Sequence, residues 1–116
     1  MDFDRFSVAL LVLREDPPLL SESEAAELQD NHMAHLADLH EAGQLLAAGP
    51  LTDAHFRGLM ILSVDESTAR RLLEEDPAVR AGRLEALFLP WTVPAGTLKF
   101  LPTSFPRSMT AMRVLR

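Results

Sequence analysis

Apolar residues recur along this chain in short runs, separated by stretches that carry proline, glycine and charge. Residues 6–13 (FSVALLVL) form an unbroken apolar run rich in β-formers, which predicts a strand. Asp16-Pro17-Pro18 stops it. Ser21 and Glu24 then stand at the spacing of a capping box, predicting a helix over about residues 22–42 with Gly43 closing it in a left-handed conformation. Residues 44–48 (QLLAA) read as a second strand closed by Gly49-Pro50, and residues 58–64 (GLMILSV) as a third. Asp65 or Ser67 can cap a second helix over about residues 68–75, which Pro77 ends soon after. Residues 84–89 (LEALFL) read as the fourth strand, before Pro90 and Trp91.

The order is β-α-β-β-α-β, an α+β chain on the ferredoxin-like plan. Two helices cover one face of a four-stranded sheet. Yet the first strand is apolar on both sides: Val8, Leu10 and Val12 alternate with Ala9, Leu11 and Leu13. A solvated second face would show polar alternation. A second copy of the same sheet is the simplest cover, so a homodimer is expected, with the C-terminal tail as the main competitor for that role. The reading divides the chain into one domain over residues 1–91 and an extension over residues 92–116. Pro94, Pro102 and Pro106 break the extension into pieces; residues 98–101 could add one short strand, and a short helix could begin near Ser108.

Charge sharpens that division. The whole chain carries a formal net charge of −6, which argues against nonspecific binding of nucleic acid. The extension, however, holds Lys99, Arg107, Arg113 and Arg116 and no acid, so it is expected to lie on its own acidic domain or on a partner subunit. No apolar run approaches the roughly 20 residues of a membrane span, and Met1-Asp2-Phe3-Asp4 lacks the basic start of a secretory signal, so no membrane contact and a cytoplasmic location are expected. There is no cysteine, which removes disulfides and thiolate catalysis from consideration.

Candidate chemistry gathers on the first helix. At about 100° per residue, Ala25, Leu28, Leu36 and Leu39 fall within about 40° of His32, which therefore takes a mid-stripe position where leucine would be unremarkable. His35 and His40 lie about 60° and 80° to either side, near the stripe's edges. Three histidines on one helix invite a metal, but no HExxH pattern accompanies them and no metal is expected. The plainer reading is a core histidine bonded to backbone or to a carboxylate. Asp76 offers such a carboxylate: it follows Leu72 and Leu73 by four and three residues, on the buried side of the second helix. Its own plain reading is an Asp-Pro turn. Both helices pack on one sheet face, so the two can meet, and a carboxylate on one ring nitrogen leaves the other free as a base.

Residues 32–43 (HMAHLADLHEAG), continuing through 44–50 (QLLAAGP), resemble the signature of the YciI-like (YCII-related) family, and residues 75–82 (EDPAVRAG) resemble its Asp-Pro segment. The matches together cover most of residues 5–91. The resemblance implies a dimeric α/β-barrel of ferredoxin-like subunits with a His–Asp pair in a cleft. The family histidine precedes the glycine by eleven residues, which selects His32, and the family's aspartate maps onto Asp76. Only a loosely defined activity is implied. The chain departs from the family in a shorter 49–58 loop without the usual glycine-rich stretch, and in its longer tail.

Two functions follow. In the first, His32 and Asp76 perform acid–base chemistry, elimination or isomerisation, on a small molecule, with Gly49 and Pro50 shaping the pocket wall. No nucleophile motif and no phosphate loop appears, and no cofactor is called for. In the second, the pair anchors a small ligand or a partner without turnover. An imidazole nitrogen facing open space separates them.

Overall fold

The computed structural model describes residues 1–112. Its elements are β1 (Phe3–Leu13), α1 (Glu22–Glu41), β2 (Leu45–Pro50), β3 (Phe56–Leu62), α2 (Glu66–Glu74), α3 (Pro77–Arg80), β4 (Leu84–Pro94) and a 3-10 turn at Met109–Ala111. The capping box forms as the sequence predicts: Ser21 Oγ accepts the Glu24 N–H at 3.1 Å, and the Glu24 carboxylate accepts the Ser21 N–H at 3.0 Å. The Ser21 N–H, and beside it the Ser21 hydroxyl, hold the Glu24 carboxyl below its ordinary pKa. Asp65, rather than Ser67, caps α2 by accepting the Thr68 N–H at 2.8 Å. Gly43, at φ 77°, ends α1 in the left-handed region that a side chain avoids.

The strands lie in the order β2-β3-β1-β4, every neighbour antiparallel. This is the ferredoxin-like arrangement, with each helix crossing between strands that are not adjacent. Ala9, Leu11, Met60, Leu62 and Leu84 point from the sheet into one core with Leu39, Leu73 and Ala78 from the helices.

Four departures from the predicted elements have physical causes. β4 continues through Pro90 and Trp91 to Pro94 because it is an edge strand pairing only with β1, so a missing N–H costs no ladder bond on its outer side. Gly49 and Pro50 are the last residues of edge strand β2 rather than its turn, paired with Leu59 and Gly58. Pro77 does not simply end a helix. It opens α3 at the first helical position, where its fixed φ suits a new turn, and Asp76 is that turn's N-cap. Residues 98–101 make no strand; Thr97 N–H bonds back to Pro94 O, turning the chain from β4.

The tail wraps one end of the molecule. Phe100 meets Phe6 edge-on, centroids 5.8 Å apart. Further along, Phe105 stacks on His40 at 3.9 Å. Arg107 then binds Asp38 and Glu41, and the Met109 N–H donates to Asp30. A basic segment thus lies on the acidic outer side of α1. Where a short helix is expected near Ser108 the chain makes a 3-10 turn at Met109–Ala111, and the part of that expectation beyond Met112 lies outside the described residues.

Opposite the helices the sheet is open. Val8 and Leu10 of β1 face this side beside their partners Ile61, Leu59, Leu89 and Leu87. Leu59, Leu87 and Leu89 remain 37%, 46% and 52% exposed, so the tail, which reaches the face at Phe6, leaves most of it uncovered.

Candidate active site

α1 is longer than β2 and β3, though not than β1 and β4. Its 20 residues span about 30 Å at 1.5 Å per residue. β2 and β3, with 6 and 7 residues, span only about 20–23 Å. The first turns of α1 are open to solvent. Along the predicted stripe Ala25 is exposed and Leu28 half-buried, and His32 is the first position the fold encloses. The stripe is a core face only from His32 onward, and the histidine stands where core gives way to an uncovered apolar wall.

Asp76 is reached from the other side. Its backbone N–H donates to Leu73 O at 3.1 Å, extending the end of α2. Its Oδ1 accepts the Ala78 N–H at 2.8 Å, starting α3. Pro77 fixes the backbone between those two bonds. The remaining oxygen, Oδ2, lies 2.7 Å from His32 Nδ1. His32 is 8% exposed and Asp76 1%. The two residues picked out by sequence meet side chain to side chain, 44 positions apart.

Donor and acceptor roles follow from the carboxylate, which only accepts. Nδ1–H donates to Oδ2, so in the neutral ring Nε2 carries a lone pair. Among the described residues no buried side-chain nitrogen or oxygen lacks a hydrogen-bond partner. His32 makes its bond through Nδ1, and among the described residues Nε2 has no hydrogen-bond partner and is not a buried unpaired atom. The arrangement can accept a proton at Nε2 while the carboxylate steadies the charge that forms on the ring.

The other named residues fall elsewhere. Strand alternation turns Gly49 to the open sheet face with Leu59, away from the helices, and a Cβ there would meet no atom within 4 Å. Pro50 faces the helix side. His40 lies with Nδ1 2.8 Å from Leu45 O and Nε2 3.2 Å from Thr103 O, and a neutral ring, with one N–H, donates to one of the two. His35 bonds Leu72 O. Among the described residues no three His, Asp or Glu side chains gather as a ligand set, and no helix is long and apolar enough to cross a membrane. Two surface clefts, one lined by Arg70, Leu73 and Phe88 and the other by Leu13, Arg14 and His55, include neither His32 nor Asp76. Missing from the sequence reading were the His35 bond, whose acceptor is a backbone carbonyl, and the Arg107 link, which the tail's charge alone did not place.

No curated protein matches the chain in sequence. Among solved structures it is similar to 5-chloro-2-hydroxyhydroquinone dehydrochlorinase (TftG) of Burkholderia phenoliruptrix AC1100, in complex with 2,5-dihydroxybenzoquinone. The TM-score is 0.52 at 18% identity, covering 74% of this chain and 92% of the other, which speaks for a shared fold. A family profile described as the YCII-related domain matches residues 8–91, most of the sequence. With the ferredoxin-like sheet in place and that match spanning it, the chain belongs to the YCII-related family.

Proposed function

We propose that this chain is a small-molecule enzyme in which His32 acts as general base and acid, oriented by Asp76, for an elimination or isomerisation. One observation carries the proposal: Nδ1 is committed to a buried carboxylate at 2.7 Å while Nε2 has no hydrogen-bond partner among the described residues. A purely structural histidine would tend to spend both nitrogens inside the protein. In an elimination, Nε2 takes a proton from a C–H or O–H of the substrate. The freed electron pair forms a new π bond, and the leaving group departs with the pair of its own bond. Asp76 stabilises the imidazolium until the proton is passed on.

The similar solved structure, a dehydrochlorinase with a bound quinone, supports elimination from a small oxygenated ring as the chemistry to test first. The exposed Ala25 and half-buried Leu28, in line with His32, suit an approach by a flat, weakly polar molecule. Of the two residues proposed for the pocket wall, Pro50 keeps that role better than Gly49, which faces the other side of the sheet. The test is a panel of halogenated hydroquinones and phenols assayed for halide release. The expected outcome is turnover of at least one compound that is lost on His32 replacement. Turnover that survives that replacement, or none across the panel, would overturn the assignment.

The homodimer belongs to the same proposal. The open face presents Val8, Leu10, Leu59, Ile61, Leu87 and Leu89 together as one continuous apolar surface, the kind of patch that marks an interaction site. A second copy on it would bury more than about 2,000 Å² in total, the range of obligate dimers. Sedimentation at micromolar concentration should return twice the chain mass, and Leu89→Glu should shift the protein toward monomer. A wild-type monomer under those conditions would overturn the expectation.

A further inference from the structure

The α2–α3 corner that carries Asp76 is tied to α1 at two points, not one. His35, one turn beyond His32, places Nε2 3.0 Å from Leu72 O. A carbonyl oxygen only accepts, so Nε2–H donates and the His35 tautomer is fixed. Leu72 sits in the last turn of α2, where carbonyls lack partners within the helix; its oxygen otherwise receives the Glu75 N–H at a longer 3.3 Å. Four residues later stands Asp76, joined to Leu73 O and to the Ala78 N–H. Residues 72–78 are therefore one hydrogen-bonded corner, anchored to α1 by His35 at its start and by His32 in its middle.

A corner held at a single point can rock about it. Without His35 the His32–Asp76 bond is the one polar tie left between α1 and the corner among the described residues. Beside it stands the apolar packing of Leu73 and Ala78 with Leu39, which resists sliding less directionally than a hydrogen bond. Rocking then lengthens the bond that selects the His32 tautomer. We propose that His35 is a positioning residue: its bond to Leu72 O sets the α2–α3 corner against α1 so that Asp76 holds His32 with the proton on Nδ1 and the lone pair on Nε2. This rests on the acid–base reading of the pair. The spacing of His35 on α1 is what makes it fit, since a residue three positions on is the neighbour on the same helix surface.

The test reads the His32 tautomer directly, by histidine ring ¹⁵N shifts of the full chain at a pH where the ring is neutral. In the wild type Nδ1 should show the shift of a protonated nitrogen and Nε2 that of an unprotonated one. His35→Ala should move the Nε2 signal upfield and the Nδ1 signal downfield toward the average of the two tautomers. His35→Gln, whose amide N–H can reach the same carbonyl, should restore the wild-type shifts, and His40→Ala should not disturb them. His35→Leu keeps the volume without the donor and carries the same test if the alanine variant does not fold. With a substrate in hand, His35→Ala should lower kcat several-fold and leave KM nearly unchanged. Wild-type shifts in His35→Ala or His35→Leu, or mixed tautomers already in the wild type, overturn the proposal. A tautomer that responds as expected while no compound is turned over leaves His35 as a positioning residue and sinks the acid–base function instead.

Discussion

His32→Ala should lower turnover by about 10²–10⁴-fold, the range that a positioned general base contributes, while His40→Ala should change it little. The difference lies in where each ring ends. His32 alone of the three joins a buried carboxylate and keeps an outward nitrogen. His40 stands between two backbone carbonyls, one beside each ring nitrogen, and is covered by Phe105, which gives it a structural task in holding the tail. Its loss should therefore appear as looser packing of residues 103–111, measurable as faster proteolysis there. His35→Ala falls between them, because it acts through Asp76. Rates of purified variants on the first compound found to turn over decide the order. Equal losses in all three, accompanied by inhibition by chelators, would point to a bound metal in place of acid–base chemistry.

Much of this was legible in the sequence because it depends on local rules. The capping box at Ser21 and Glu24 names its own partners, and Gly43 marks the helix end by the backbone angle it permits. The His–Asp pair was legible through helix periodicity and the family resemblance, which both point to His32. What escaped depends on facts outside any window. Whether a strand may run through Pro90 is decided by its place at the sheet edge, which only the topology sets. Ala25 lies on the same stripe as His32 yet is exposed, because which turns of α1 are covered is set by the tertiary packing and not by the stripe itself. Asp76 is buried at the end of α2 as expected, but its capping of α3 has no distinct sequence signal, since an Asp-Pro pair reads equally well as an end and as a beginning. His35 was invisible as a clamp because a backbone carbonyl has no sequence signature.

Asp76→Asn should preserve the fold and still remove most of the activity, about 10²-fold or more, comparable to losing the base itself. The asparagine can keep its carbonyl oxygen on the Ala78 N–H, so the start of α3 survives. Its NH₂ group then faces His32 Nδ1 and donates where the carboxylate accepted. The ring must answer with a lone pair at Nδ1, which moves the proton to Nε2 and leaves no base facing the substrate. Asp76→Ala is a harsher change: the Ala78 N–H loses its partner at a site only 1% exposed, costing about 1–3 kcal/mol in stability as well. These two variants separate the chemical task of Asp76 from its capping task. The double variant His32→Ala/Asp76→Asn should be scarcely slower than His32→Ala alone, because a carboxylate that acts only through the ring has nothing left to orient. The kcat/KM values of the wild type, both single variants and the double variant close the cycle. Losses that multiply fully would mean Asp76 acts on the substrate independently, and the pair would have to be described as two separate groups in one site.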